Sequence, residues 1–287
     1  VIEMINVGVF TGTRAEYGLM KHLIKGINND EKLKLQLIVS GTHLSKLHGE
    51  TINEILQDGI KPKALIPLSL DKIPSNTMAS LTGEVIIGLE KYIKDLKPNL
   101  VFLLGDRYET FAAAATLHLM NVPIAHIHGG ETTLGAVDDK LRHAITQLST
   151  WHFTAAKEYK EKVIEMGIPQ NMVFQIGPMI IDGIKKNKTL SKSNFEILTG
   201  YKFGKKNILV TYHPETLSKD YGLSGFLALL NVIKDFECNV LFTSPNADEG
   251  GGNLLIKLKE FILEDPNKYF HISSLGQMKY INALMLF

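Results

Sequence analysis

Residues 103–110 (LLGDRYET) and 122–143 (VPIAHIHGGETTLGAVDDKLRH) carry a dense set of ionisable side chains. Asp106, Glu131 and Asp138 stand among His126, His128, His143, Arg107 and Arg142. Carboxyl groups gathered with His and Arg on loops behind apolar runs can be tuned for proton transfer, which is the raw material of general acid–base catalysis. A metal site is not expected. His126 and His128 alternate along a strand and so point to opposite faces, and no HExxH motif or Cys pair accompanies them. The same residues also have a structural reading. Asp106 could cap the helix that follows it. Asp138 and Asp139 would start another helix, where acids are favoured, with Asp138–Arg142 and Asp139–His143 spaced i,i+4 on it.

Three further segments could bind an anionic or polar ligand. GVFTGTRAEYG (8–18) is a strand, a Gly-containing turn and a helix start, where free N–H groups attract phosphate and Arg14 adds a fork of donors. It departs from the dinucleotide fingerprint G-x-G-x-x-G, and no Walker pattern occurs. A tight turn with a solvated Arg14 is the plainer alternative. TYHPET (211–216) puts His213 at a strand end, with Pro214 stopping the strand. TSPNADEGG (243–251), which contains Asn246, is a polar loop before a helix. His213 and Asn246 would face a crevice if two domains meet there.

These motifs sit at the ends of short apolar runs alternating with longer amphipathic ones. Strands are expected at 5–10, 33–39, 99–104, 122–127, 151–154, 207–212, 239–244 and 268–272. Helices are expected near 14–28, 48–57, 77–96, 107–120, 137–149, 156–166, 225–235 and 252–263. Strands separated by helices imply right-handed βαβ units and a mostly parallel sheet covered on both faces, with ligands at the strands' carboxyl ends. The rhythm weakens at 178–205, a segment rich in Lys, Asn and Gly with one short amphipathic piece. This reads as a connector between an N-terminal Rossmann-like domain (1–177) and a C-terminal one (206–287). The second has only three strand candidates and is expected to be incomplete at its C-terminus.

Bulk composition agrees with a soluble α/β protein: 287 residues, 45% hydrophobic, 21% charged. A net charge of +1 gives no general affinity for nucleic acid or membranes. No apolar run is long enough to span a bilayer, and the start VIEMINVGVF is too short and acidic for a signal peptide. The single cysteine, Cys238, cannot form an internal disulfide, so a cytoplasmic location is expected. The sequon at Asn187 is read as a chance match.

TGTRAEYG, GDRYE, HIHGGE, DDKLRHAIT, the His-Pro of TYHPET and the SPNAD loop, in this order, resemble the hydrolysing UDP-N-acetylglucosamine 2-epimerases. The similarity runs from residue 5 to about 285. It implies two Rossmann-like domains facing across a cleft, the GT-B arrangement. The family continues past an ALMLF strand into a Ser-rich Gly loop, which this chain does not reach. The implied reaction releases UDP and a free 2-epimeric manno sugar, by elimination to a 2-acetamidoglycal and addition of water. Asp106, Glu131 and Asp138 are then the catalytic carboxyls. His213 and Arg14 serve the diphosphate, and Arg107, His128, Arg142 and Asn246 contact substrate. Non-hydrolysing relatives typically carry Glu where His128 lies, so HIHGGE points to the hydrolysing branch. No cofactor is implied, since nothing is oxidised. Family members commonly form homodimers or homotetramers. The resemblance leaves open a non-hydrolysing epimerase and a nucleotide-sugar-binding module without turnover.

Overall fold

The computed structural model describes residues 4–70, 77–186, 188–245 and 250–287. Asn246 and the sequon residue Asn187 lie outside the described residues. The strands are β1 (Ile5–Thr11), β2 (Leu33–Ser40), β3 (Ala64–Ile66), β4 (Leu100–Leu104), β5 (Ile124–Ile127), β6 (Trp151–Thr154), β7 (Val173–Gln175), β8 (Asn207–Val210), β9 (Asn239–Thr243) and β10 (Tyr269–Ile272). The helices are α1 (Arg14–Asn29), α2 (Ile52–Gln57), α3 (Met78–Leu96), α4 (Tyr108–Leu119), α5 (Asp138–Leu148), α6 (Lys157–Glu165), α7 (Ile180–Lys186), α8 (Lys192–Thr199), α9 (Leu223–Lys234), α10 (Gly251–Ile262) and α11 (Gly276–Leu286).

The chain divides into two compact units. One comprises Val1–Leu134 with Asp138–Gly183, the other Gly135–Val137 with Ile184–Phe287. In the first, seven parallel strands run in the order β3-β2-β1-β4-β5-β6-β7. Both faces are apolar, so the strands read as nearly continuous hydrophobic runs. Val7, Val9, Leu35, Leu37 and Val39 pack on one face with Tyr17, Met20 and Ile24 of α1. Phe10, Ile38, Val101 and Leu103 pack on the other with Val85 and Leu89 of α3 and Ala112–Ala114 of α4. Strand order reverses between β1 and β4, and the loops leaving the carboxyl ends there open the crevice in which such sheets bind ligands. Close approach of these two strands needs Gly8, where a Cβ would lie 2.8 Å from Val101 Cγ2.

The second unit is a three-stranded parallel sheet, β10-β9-β8. Val240 and Phe242 face Leu230, Leu254 and Phe261 on one side. Leu241 faces Leu190, Phe195, Tyr201 and Leu275 on the other. Segment 178–205 is therefore not a plain connector. α7 straddles the division at Gly183, and Leu190, Phe195 and Tyr201 are core residues of the second unit. The expected ALMLF strand is also corrected: residues 283–286 close α11. Ala, Leu and Met are strong helix formers, and the run contains no β-branched residue to favour a strand.

Candidate active site

The turn after β4 is built first by geometry. Gly105 adopts φ +83°, and α4 begins with Arg107 as its N-cap residue, with no side-chain cap. Asp106 is therefore not the helix cap. Its carboxylate instead makes an ion pair with Arg142 of α5. Burial pushes the Asp106 carboxyl above its ordinary range; Arg142 and Arg107 pull it down, and Glu131 pushes it up again. That mutual influence places Asp106, Arg107, Arg142 and Glu131 in one electrostatic neighbourhood. Arg142 is itself 6% exposed, and among the described residues its Nε and Nη1 have no hydrogen-bond partner.

β5 ends at Ile127, and the next residue, His128, takes φ +66°. A left-handed conformation at a non-glycine residue is uncommon and often marks functional turns. Its backbone N–H still bonds Phe153 O at 2.8 Å. The Met179 backbone N–H donates to His128 Nε2 at 3.3 Å, so the ring hydrogen sits on Nδ1, which lies 3.1 Å from Glu131 Oε1. Gly129 and Gly130 make this turn possible through close packing, and Gly130 also takes φ +83°. A Cβ on Gly129 would meet His126 Nδ1 at 3.0 Å, and one on Gly130 would strike the Tyr159 carbonyl of α6. Asp138 is the first residue of α5, on the turn before Arg142. Asp139 accepts the Thr133 N–H at 2.7 Å and lies 4.0 Å from His143, the i,i+4 pair foreseen from spacing.

The turn after β1 holds residues that sequence reading passed over. Thr13 and Glu16 form a reciprocal capping box, and Glu16 Oε2 accepts the Gly12 and Thr13 N–H groups at 2.7 and 3.2 Å. The T-x-x-E spacing was the available signal. Glu109, wholly buried, accepts from Arg107 Nε at 3.2 Å and stands against Gly12 and Gly41. Burial and the Glu109 charge raise Glu16 to about 7. His43 bonds Thr11 and Thr51 and is lowered to about 4, by burial and then by the nearby Arg14 charge. Arg14 opens α1, half-buried, at the helix end where an anion is favoured.

His213 belongs to the second unit. β8 ends at Val210, earlier than expected, and His213 follows on an exposed loop before Pro214. Thr211 bonds Thr243 at 2.7 Å and Ser244 bonds His271 at 2.8 Å, a hydroxyl-rich edge at the carboxyl ends of this sheet. Among the described residues, no group of three or more His, Cys, Asp or Glu is arranged to hold a metal, and no helix is long and apolar enough to cross a membrane.

Two Rossmann-like α/β units with polar turns at the strands' carboxyl ends define a GT-B-type fold. A crystal structure of UDP-GlcNAc 2-epimerase from Neisseria meningitidis bound to UDP-GlcNAc matches it with a TM-score of 0.76 at 20% identity, over 97% of this chain and 74% of that one. At that identity the likeness is one of fold. The UDP-N-acetylglucosamine 2-epimerase family model matches residues 25–286, and the chain belongs to that family. It is 36% identical over 253 residues to a UDP-N,N'-diacetylbacillosamine 2-epimerase (hydrolyzing) of Legionella pneumophila, covering 88% of this chain and 67% of the relative. It is 34% identical over 283 residues to a GDP/UDP-N,N'-diacetylbacillosamine 2-epimerase (hydrolyzing) of Campylobacter jejuni, covering 97% and 72%.

Proposed function

We propose that the chain is a hydrolysing 2-epimerase. It converts a UDP-2-acetamido sugar to UDP and the free 2-epimeric manno sugar. A UDP-diacetamido-trideoxyhexose is favoured over UDP-N-acetylglucosamine, because the two relatives at 34–36% identity carry that substrate in their names. The observation that carries the reading is the convergence of Asp106, paired with Arg142, and Glu131, beside His128, on the turns that follow β4 and β5.

The chemistry explains why such a set is needed. The C2–H of the sugar is not adjacent to a carbonyl and is barely acidic. Departure of UDP must first develop positive charge at C1, which carboxylates at the ring stabilise while cations hold the diphosphate. Removal of the C2 proton as the C1–O bond breaks gives a 2-acetamidoglycal and UDP. Water then adds its oxygen to C1 while a proton returns to C2 from the opposite face. Inversion at C2 requires proton transfer on both faces, hence two carboxyl groups. Asp106 and Glu131 fill these roles, and Asp138 orients the sugar or the water. Arg14 and His213 take the diphosphate, and Arg107 and Arg142 supply positive charge near the ring. Asn246 belongs to the substrate-binding set. His128, in place of the Glu of non-hydrolysing relatives, supports the hydrolysing outcome. No cofactor takes part, because the sequence of steps involves no net oxidation. The protein works in the cytoplasm as a homodimer or homotetramer.

Proton NMR of the protein with each UDP-sugar in D2O tests the reaction. Deuterium at C2 together with a free manno sugar and stoichiometric UDP is the expected result. An epimerised sugar still bearing UDP would convert the assignment to the non-hydrolysing reaction. UDP binding without any deuterium incorporation would leave only a binding module.

A further inference from the structure

One buried imidazole touches the supports of both partners in the Asp106–Arg142 pair. His126, 0% exposed, lies on β5 beside β4. Its Nε2 is 2.8 Å from the carbonyl oxygen of Gly105, the residue before Asp106. A carbonyl only accepts, so Nε2 carries the hydrogen. Burial keeps the ring neutral, lowered to about 3, which leaves Nδ1 as an acceptor. Nδ1 faces the Thr146 hydroxyl at 3.2 Å, and that hydroxyl is 3.0 Å from the Arg142 carbonyl one helical turn back. The hydroxyl has one hydrogen; aimed at Nδ1, it completes a chain from Gly105 through the ring to α5. The turn leading to Glu131 covers this chain, since a Cβ on Gly129 would come within 3.0 Å of Nδ1 and 3.1 Å of Thr146 Oγ1.

Resting on the catalytic reading of this site, we propose that His126 is a positioning residue that ties the end of β4 to α5, holding Asp106 against Arg142 and seating the Gly129–Gly130 turn. A histidine present only to fill the core would have no reason to engage both nitrogens, one with the residue before Asp106 and one with the helix that carries Arg142. The register partner of His126 on β6, His152, is equally buried and supplies the contrast: its ring is influenced by the Ser149 backbone, and among the described residues no hydrogen bond links it to Gly105, Thr146 or Arg142.

The two arms of the brace can be separated. In His126→Gln the amide nitrogen reaches the Nε2 position and keeps the bond to Gly105. In His126→Asn the amide oxygen reaches the Nδ1 position and keeps Thr146. His126→Leu removes both, and His152→Leu is the control for core damage. Misplacement by about an ångström costs on the order of 100-fold in rate, so His126→Leu should lose about that much kcat with KM within about threefold. Gln and Asn should each fall about tenfold, and His152→Leu should stay within about threefold of wild type. A second readout needs no turnover: the carboxyl titration of Asp106 by 13C NMR in the ligand-free protein. It should move in His126→Leu, return toward wild type in His126→Gln, and stay put in His152→Leu. If His126→Leu does not fold, Gln and Asn decide. Unchanged kcat and an unchanged Asp106 titration would overturn the brace, as would equal losses in His126→Leu and His152→Leu. Should the wild type process no UDP-sugar, the reaction assignment fails, and the Asp106 titration alone decides the brace.

Discussion

Glu131 Oε1 lies 3.1 Å from Nδ1 of His128, and its side chain stays partly open to solvent. Those two facts make it the cleanest residue on which to test acid–base chemistry. In Glu131→Gln the amide oxygen keeps its place beside the His128 ring, so the turn after β5 is undisturbed, while the group that exchanges a proton is gone. General acid–base catalysis contributes about 10²–10⁴-fold, and turnover should fall by that amount. Calorimetry with UDP should show affinity close to wild type, and the melting temperature should be unchanged. A near-normal rate of UDP release would sink the assignment. The chemistry-bearing residue types were readable in the sequence, but their partners were not. Arg142 has Asp138 at i−4, a spacing that suggests a pair on one helix, yet Arg142 pairs with Asp106, 36 residues away and outside that helix. Long-range pairing depends on which strands become neighbours, and side-chain spacing along one helix contains no information about that.

The β1–α1 element stores a titration that the sequence suggested only through its T-x-x-E spacing. Glu16 caps its own helix from a buried position, and burial, followed by the Glu109 charge, raises it from an ordinary 4.5 to about 7. The sign follows from proton linkage. A carboxyl raised in the folded state favours folding most below about 4.5, and that contribution is lost as pH climbs to about 7. The loss at this site is about 3 kcal/mol in total. Gln also completes a capping box, so Glu16→Gln keeps the helix start and removes the ionisation. Urea unfolding at a series of pH values should show the variant matching wild type near pH 4.5 and gaining on it up to pH 8. The difference between the two proteins is the quantity to read, because His43 and His126, both lowered by burial, impose the opposite trend on each. A difference that does not change with pH would show that Glu16 titrates normally. Among whole elements, the longer periodic ones were legible: α1 and α3 fall within a residue of their expected limits. β3 and β7, three residues each, were not, because a three-residue run is too short to display any period.

At the scale of the molecule, alternating strands and helices correctly implied parallel sheets with helices on both faces, and the motif order implied the family. What composition hid was where one unit stops. The Lys- and Asn-rich segment near 190 looks like a linker, yet Leu190, Phe195 and Tyr201 are buried in the second unit. A few large apolar residues spaced among polar ones are enough to seat a helix, and the average composition of the window does not reveal them. The second unit is also where the proposed ligand can be tested against the whole chain. A ligand that binds only the folded protein stabilises it by RT ln(1 + [L]/Kd), about 2.7 kcal/mol at a hundredfold excess over Kd. UDP should therefore raise the melting temperature of the wild type in a concentration-dependent way. His213 sits exposed on the loop after β8, the residue before Pro214, and its proposed role is to donate to the diphosphate. Removing one hydrogen bond to a charged group costs about 1.5–3 kcal/mol, so His213→Ala should weaken UDP binding by roughly ten- to a hundredfold. Its ligand-free melting should match wild type, since an exposed loop side chain adds little to the core. Full UDP stabilisation retained in His213→Ala, with the same affinity by calorimetry, would remove the residue from the diphosphate site and leave Arg14 to be tested in its place.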